Sequence, residues 1–317
     1  MKITDILSRS SSPLFTFELM PPLKGESFVE IADTIDALLP FAPAYINITH
    51  HRPEMQLRER PNGLLERITT KKRPGTVSVA AAIKYKYGIE VVAHLVCGGY
   101  TKGETEDALI DLNFLGINNV LALRGDAVHG EKYFTTEKDG HAHALDLVRQ
   151  VKDMNAGKYL DDELKNPIPT EFCIGVAGYP EKHCEAPNLA DDLAHLKHKV
   201  DAGASYVVTQ MFFDNAKYFN FVRQCRAVGI NVPIIPGLKP FSTAKQLSIL
   251  PQIFHIDLPD ALVREVQKCS TAEQVRCVGV EWSVAQCREL KATGVPALHF
   301  YTMGKADNVA QIVKKVF

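Results

Sequence analysis

The chain of 317 residues is 46% hydrophobic, enough to bury a substantial core, and single α/β barrels commonly run to this length. Its 36 lysines and arginines stand against 37 acidic residues, for a formal charge of -1 with no long single-sign run; this excludes the electrostatic footprint of nucleic-acid and membrane-surface binding and leaves a small molecule as the expected partner. Residues 1–13 are polar and serine-rich, no stretch reaches the roughly 18 apolar residues of a spanning helix, and the seven cysteines avoid C-x-x-C spacing, so a cytoplasmic protein without disulfides or a bound metal is expected.

Short apolar, β-rich runs alternate along the chain with longer stretches of helical periodicity, the pattern of successive βαβ units. In chain order the sequence predicts a strand at 14–19, a helix at 27–39, a strand at 45–48 and, after a long connection, a strand at 91–96 with a helix at 104–115. A strand at 120–123 leads to a helix at 142–154, one at 172–176 to a helix at 189–202, and one at 206–209 to a helix at 218–228. The strand at 233–235 is followed by helices at 243–249 and 271–292, and the strand at 298–301 by a last helix at 308–316.

Eight strands alternating with helices, without a charge-rich linker, predict a closed (β/α)8 TIM barrel forming one domain over 1–317. An open doubly wound sheet is the alternative, but the G-x-G-x-x-G it would carry after the first strand is missing. The string from Gly125 to Gly130, followed by Glu131 and Lys132, lacks the Gly-Lys-Ser/Thr of a phosphate loop. Segments 49–75 and 125–140 are longer than barrel connections need, and the first is dense in base: His50, His51, Arg52, Arg58, Arg60, Arg67, Lys71, Lys72 and Arg73. It reads either as a solvated loop and helix face or as a lid contacting an anionic cofactor or substrate tail.

Barrel enzymes build their sites at the carboxyl ends of the strands, and here those ends are polar. They carry Glu18 before Pro21-Pro22, Thr49-His50, His94, Arg124-Gly125-Asp126, Tyr179 with His183, Gln210, Pro236-Gly237 and Tyr301. Each alone is an ordinary solvated turn; together they converge on one mouth and make an enzyme the working expectation. His195 and His198 fall at i, i+3 on a predicted amphipathic helix, where a surface face outweighs a zinc pair. No G-x-S-x-G or telling cysteine marks a nucleophile, whereas Glu18 and Asp126 could form the carboxylate pair of a glycosidase, which keeps a barrel hydrolase open.

Specific strings go further: Phe17-Glu18-Leu19-Met20-Pro21-Pro22, NVLALRGD ending at Asp126, Gly178-Tyr179-Pro180-Glu181, LKHKVDAGASYVVTQMFFD from Leu196 to Asp214, PIIPG ending at Gly237 and LHFYT ending at Thr302. In this order they resemble the methylenetetrahydrofolate reductase family over most of the chain. The resemblance implies a barrel that binds FAD at its carboxyl-terminal face and passes hydride from NADH or NADPH to 5,10-methylenetetrahydrofolate in alternating half-reactions, within a homo-oligomer. A member fed by ferredoxin or a partner subunit is the alternative donor arrangement, and a flavin-binding scaffold without turnover is a further one.

By the same resemblance Glu18 would be the general acid, its carboxyl kept protonated near neutral pH by apolar neighbours such as Phe17 and Leu19. Asp126 would face a developing cationic iminium, and Gln210, Leu250 and Tyr301 would contact the folate. Thr49, His94, Arg124, Gly125, Asp126, Ala177, Tyr179, His183, Asp192 and Lys199 would form the flavin cradle, with Lys199 and Arg124 as cations for its phosphates. Leu19-Met20 replaces the family's aromatic pair, and His50-His51 follows Thr49 where another pair is usual. Nothing after Phe317 corresponds to the regulatory domain of animal relatives, so control by S-adenosylmethionine is not expected.

Overall fold

The computed structural model describes residues 1–127 and 133–317, without the side chains of residues 54–56. The Gly125-to-Gly130 string and the 125–140 segment therefore lie partly outside the described residues.

In chain order the strands are β1 (Leu14–Leu19), β2 (Tyr45–Ile48), β3 (Glu54–Glu59), β4 (Leu65–Thr70), β5 (Glu90–Val96), β6 (Asn119–Leu123), β7 (Cys173–Gly178), β8 (Tyr206–Thr209), β9 (Ile234–Ile235), β10 (Gly237–Leu238) and β11 (Ala297–Tyr301). The helices are α1 (Ile3–Arg9), α2 (Val29–Leu38), α3 (Thr76–Tyr87), α4 (Lys102–Phe114), α5 (Ala144–Asn155), α6 (Leu189–Asp201), α7 (Asn215–Ala227), α8 (Gln246–Phe254), α9 (Asp260–Gln267), α10 (Ala272–Ala292) and α11 (Asp307–Val316). Nine strands form one sheet in the order β10-β11-β1-β2-β5-β6-β7-β8-β9, with parallel pairing throughout.

The two ends of that order, β9 and β10, are separated in sequence by Pro236 alone, so the sheet returns on itself as the expected TIM barrel. Proline has no amide to give to a ladder. The seventh barrel strand, predicted to stop at 235, is thus divided: Ile234 and Ile235 pair with β8, while Gly237 and Leu238 pair with β11. Across the break the Gly237 amide donates to Thr209 Oγ1 at 2.9 Å, and the Pro236 carbonyl accepts from the His299 amide at 3.1 Å.

Period-two alternation sorts the strand side chains into two layers. Phe15, Phe17, Leu19, Ile46, Ile48, Val91, Ala93, Val120, Ile174, Leu298 and Phe300 pack outward against the helices. Tyr45, Val92, Leu121, Cys173, Tyr206, Val208, Ile235 and Ala297 point inward and fill the lower barrel. Ile3 and Leu7 of α1 join this inner cluster and stop the amino-terminal end. Asn119 ties the plug down: its Oδ1 accepts from the Ile3 amide and its Nδ2 donates to the Met1 carbonyl, both at 2.9 Å.

Three helices were not anticipated. α1 lies in the polar amino terminus, and α3 and α9 occupy stretches left unassigned. The basic 50–75 segment, expected as loop and helix face, contains the antiparallel hairpin β3–β4, with register Glu59↔Leu65 and its turn at Pro61-Asn62-Gly63, where Gly63 adopts φ +76°. Asn-Gly between two strands is the usual signal for such a turn.

Candidate active site

The same alternation that packs Phe17 and Leu19 against the helices turns Glu18 into the barrel. In register it stands beside Tyr301 on one side and Asn47 on the other. The predicted desolvation of Glu18 is therefore correct in direction but wrong in source, since Phe17 and Leu19 point the other way. Burial inside the mouth pushes its carboxyl up from the usual 4.5 to about 8, and the nearby Lys239 ammonium opposes that rise. His94 Nε2 lies 3.6 Å from Glu18 Oε2, too far for a hydrogen bond. Asn47 Nδ2 donates to the same ring nitrogen at 3.2 Å, which places the remaining ring proton on Nδ1. Burial holds His94 down at about 3, helped by His299, His50 and His51. At neutral pH a protonated carboxyl thus meets a neutral imidazole.

Tyr301 reaches across the interior to donate its hydroxyl to the Thr209 carbonyl at 2.6 Å. It passes over Gly237, where an added Cβ would come within 2.5 Å of the tyrosine hydroxyl and 2.2 Å of the Thr209 oxygen. Gln210, the next inward residue after β8, accepts from the Met211 amide at 2.9 Å. Leu250 is 2% exposed in a satellite cluster with Met211, Phe213, Phe241 and Ile256. Thr49 and His51 bond to each other at 3.0 Å, while His50 Nε2 meets the Tyr100 hydroxyl at 2.6 Å.

The opposite arc is a string of polar and cationic groups. Gly125 turns the chain after β6 at φ +84°, and a Cβ there would touch Val96 at 3.4 Å. Asp126 is exposed, and its carbonyl accepts from Arg52 at 3.3 Å. Arg124, expected as an open cation, is instead clamped by Glu185 through bonds of 2.5 and 2.8 Å, with its guanidinium 4.9 Å from the Phe134 ring centre. Lys199 runs inward from α6 to the Ala177 carbonyl at 2.9 Å; burial pulls its ammonium down to about 8, opposed by Asp192. Asp192 accepts from the His183 amide at 2.9 Å, and Tyr179 meets the His183 ring edge-on at 4.8 Å.

The strand-end residues singled out from sequence are therefore gathered at one mouth, with Leu250 set apart in its own cluster. Sequence reasoning missed Asn47, Tyr100, Glu185 and Lys239. For Lys239 a signal existed, because two residues beyond a strand resuming at Gly237 would again face inward; ending the strand at Pro236 concealed it. His195 and His198 are exposed on α6, in keeping with a surface face.

A family model described as "Methylenetetrahydrofolate reductase" matches residues 2–316. Among curated proteins, the chain is similar to "Methylenetetrahydrofolate reductase (NADH) 1" of Arabidopsis thaliana, with 32% identity over 316 residues covering 96% of this chain and 48% of the relative. It is also similar to "5,10-methylenetetrahydrofolate reductase" of Salmonella typhimurium, with 30% identity over 293 residues covering 92% of this chain and 86% of the relative. The chain spans about half the length of the plant relatives it matches. A solved structure of a Clostridium thermocellum protein, described as binding two copies of 5-methyl-5,6,7,8-tetrahydrofolic acid, superposes with a TM-score of 0.60 at 16% identity, covering 100% of this chain and 98% of that one. At that identity the likeness speaks for the barrel alone.

Proposed function

Since the chain belongs to the methylenetetrahydrofolate reductase family, we propose that it reduces 5,10-methylenetetrahydrofolate to 5-methyltetrahydrofolate, with NADH or NADPH as electron source and FAD as its bound cofactor. The observation that carries this reading is Glu18, a carboxyl held neutral near pH 7 at the carboxyl end of a barrel strand. Opening the folate's five-membered ring needs a proton delivered to a nitrogen as its bond to the methylene carbon breaks. A carboxyl near 8 still holds that proton at neutral pH and can release it, as a general acid should.

The residues around the mouth suit a flavin dinucleotide. Lys199 is a buried ammonium whose single hydrogen-bond acceptor among the described residues is a carbonyl, which leaves donors for a phosphate. Gly125 keeps the β6 turn free of a side chain. Positive charge for the phosphates comes from Lys199, since Arg124 is neutralised by Glu185. Thr49, His94, Arg124, Gly125, Asp126, Ala177, Tyr179, His183 and Asp192 complete the cradle. The chemistry FAD supplies when bound is two-electron transfer between nicotinamide and folate.

In this reading Glu18 protonates the folate and regains its proton from solvent, Asp126 places negative charge beside the cationic iminium, Gln210 and Tyr301 orient the pterin, and Leu250 lends an apolar contact. The 1–317 barrel is one catalytic domain acting as a cytoplasmic homo-oligomer; no described helix is long and apolar enough to cross a membrane. The test is an anaerobic absorbance spectrum of the purified protein before and after NADH or NADPH, and then after methylenetetrahydrofolate. Bleaching of a flavin band and its return with folate is expected. A band that ignores nicotinamides but cycles with folate after chemical reduction would assign the electrons to ferredoxin or a partner subunit. No flavin uptake, even with FAD added, would overturn the reading in favour of a colourless hydrolase.

A further inference from the structure

The inner face of the mouth carries one cation that neither the family's strings nor the cradle uses. β10 pairs with β11 as Gly237↔His299 and Leu238↔Phe300. Leu238 and Phe300 face outward into the helix layer. Lys239 follows just past the end of β10, where alternation turns it inward and its charge acts on Glu18, whose register partner on β11 is Tyr301. Three neighbouring strands thus set Tyr301, Glu18 and Asn47 in one lateral row, with Lys239 following the strand that borders it on the Tyr301 side. Lys239 makes no hydrogen bond or ion pair among the described residues, and its ammonium and the Glu18 carboxyl act on each other.

We propose that Lys239 is a positioning residue for Glu18, a fixed positive charge at the carboxyl end of the barrel that sets how readily the acid releases and regains its proton. A carboxyl enclosed in a barrel mouth is kept neutral by desolvation, and too much desolvation makes it a poor donor. A nearby cation favours the carboxylate and restores part of that acidity. Glu18 then gives its proton to the folate nitrogen as the carbon–nitrogen bond breaks, is left as a carboxylate facing Lys239, and takes a proton back from solvent, while Lys239 keeps its own protons throughout. The other groups facing Glu18 do not substitute: Tyr301 and Asn47 are neutral, and His94, His50 and His299 are held neutral by burial. Burial pulls the Lys239 ammonium down while Glu18 raises it, so the two groups stabilise each other's charged forms.

This inference rests on the reading of Glu18 as the acid, and its test separates the two. Titrating the protonated-carboxyl infrared band of the FAD-bound protein, assigned by its loss in Glu18→Gln, reads Glu18 without any folate. In Lys239→Met the band should persist to a pH higher by roughly one unit, and Lys239→Arg should return it toward the wild-type value. The alkaline limb of folate-dependent flavin reoxidation should move with it, whereas the pH profile of flavin reduction by nicotinamide should not. If Lys239→Met does not fold, Lys239→Gln, which removes the charge and keeps hydrogen-bonding capacity, replaces it. An unmoved titration in a folded neutral variant overturns the proposal. A titration that moves in a protein inert toward folate leaves Lys239's hold on Glu18 intact and sinks the substrate reading instead.

Discussion

The two ends of the barrel interior are built from the same strands and by the same alternation, yet they are opposite in chemistry. At the amino end Tyr45, Val92, Leu121, Tyr206 and Ile235 close around Ile3 and Leu7 of α1. At the carboxyl end the inward positions pass to Asn47, Glu18, His94, Tyr301 and Lys239. A shift of two residues along a strand exchanges cohesion for reactivity. The lower half buries apolar area and supplies stability, so the upper half can hold groups that cost stability, above all a carboxyl drawn into the barrel mouth.

Substitutions that strike one end and spare the other sharpen this contrast. The largest effect is expected for Glu18→Gln, which should slow flavin reoxidation by methylenetetrahydrofolate by roughly 10²–10⁴-fold while FAD binding and reduction by NADH persist; equal loss of both half-reactions in stopped-flow traces would remove Glu18 from the acid's role. At the other end, Ile3→Ala empties a fully buried site in the plug and should destabilise by about 2–5 kcal/mol, with rate constants unchanged in the protein that remains folded. Chemical denaturation checks the first part; a lost half-reaction would mean that the plug does more than hold the fold.

The acid itself gives the next effect, in stability. Above the usual 4.5 the unfolded chain releases a proton that native Glu18 keeps until about 8. The native state then binds more protons than the unfolded one, so stability falls with rising pH across that window. The cost at pH 7 is at most about 3 kcal/mol. Glu18→Gln should therefore melt higher than wild type, with a gap that widens from pH 5 to 8; a gap independent of pH would mean that Glu18 is not a neutral acid. Smallest is Asn119→Ala, which strips two hydrogen bonds from the Met1–Ile3 backbone and should cost about 1–3 kcal/mol. Faster amide exchange confined to α1 is the expected signature.

The contrast also explains which parts of the molecule could be read from its residues. Strands such as Glu90–Val96 stand out because both their faces are covered and the run is apolar, and all eight predicted strands are present this way, although the second half of the seventh, Gly237–Leu238, was missed. α3 escaped because Thr76, Val77 and Val79 resemble a strand start, and α1 because Ser8, Ser10, Ser11 and Ser12 dilute a plug that needs only Ile3 and Leu7 to work. The hairpin announced itself through Asn62-Gly63, but the surrounding bases drew the reading toward a loop. At the mouth, strand-end position identified Glu18, His94 and Tyr301, since each follows directly from a predicted strand. It could not show that Phe17 and Leu19 face away from the acid, that Glu185 occupies Arg124, or that the divided strand resumes at Gly237–Leu238 just before Lys239, because those facts depend on side-chain direction and partners far apart in sequence.

That divided strand makes the ring a clasp. Each neighbour of strand seven is paired in register with two of its residues, and at Pro236 the ladder to β8 has no amide to continue it, the Gly237 amide turning instead to the Thr209 hydroxyl. If any staves of the barrel part while the others stay joined, they will be these. Lys239 follows β10 on the β11 side of that break, so it stays on the same arc as β1 and Glu18 when the β8 side opens. The acid and the cation that acts on it are thus carried by one arc of the scaffold, whichever side of the clasp parts first.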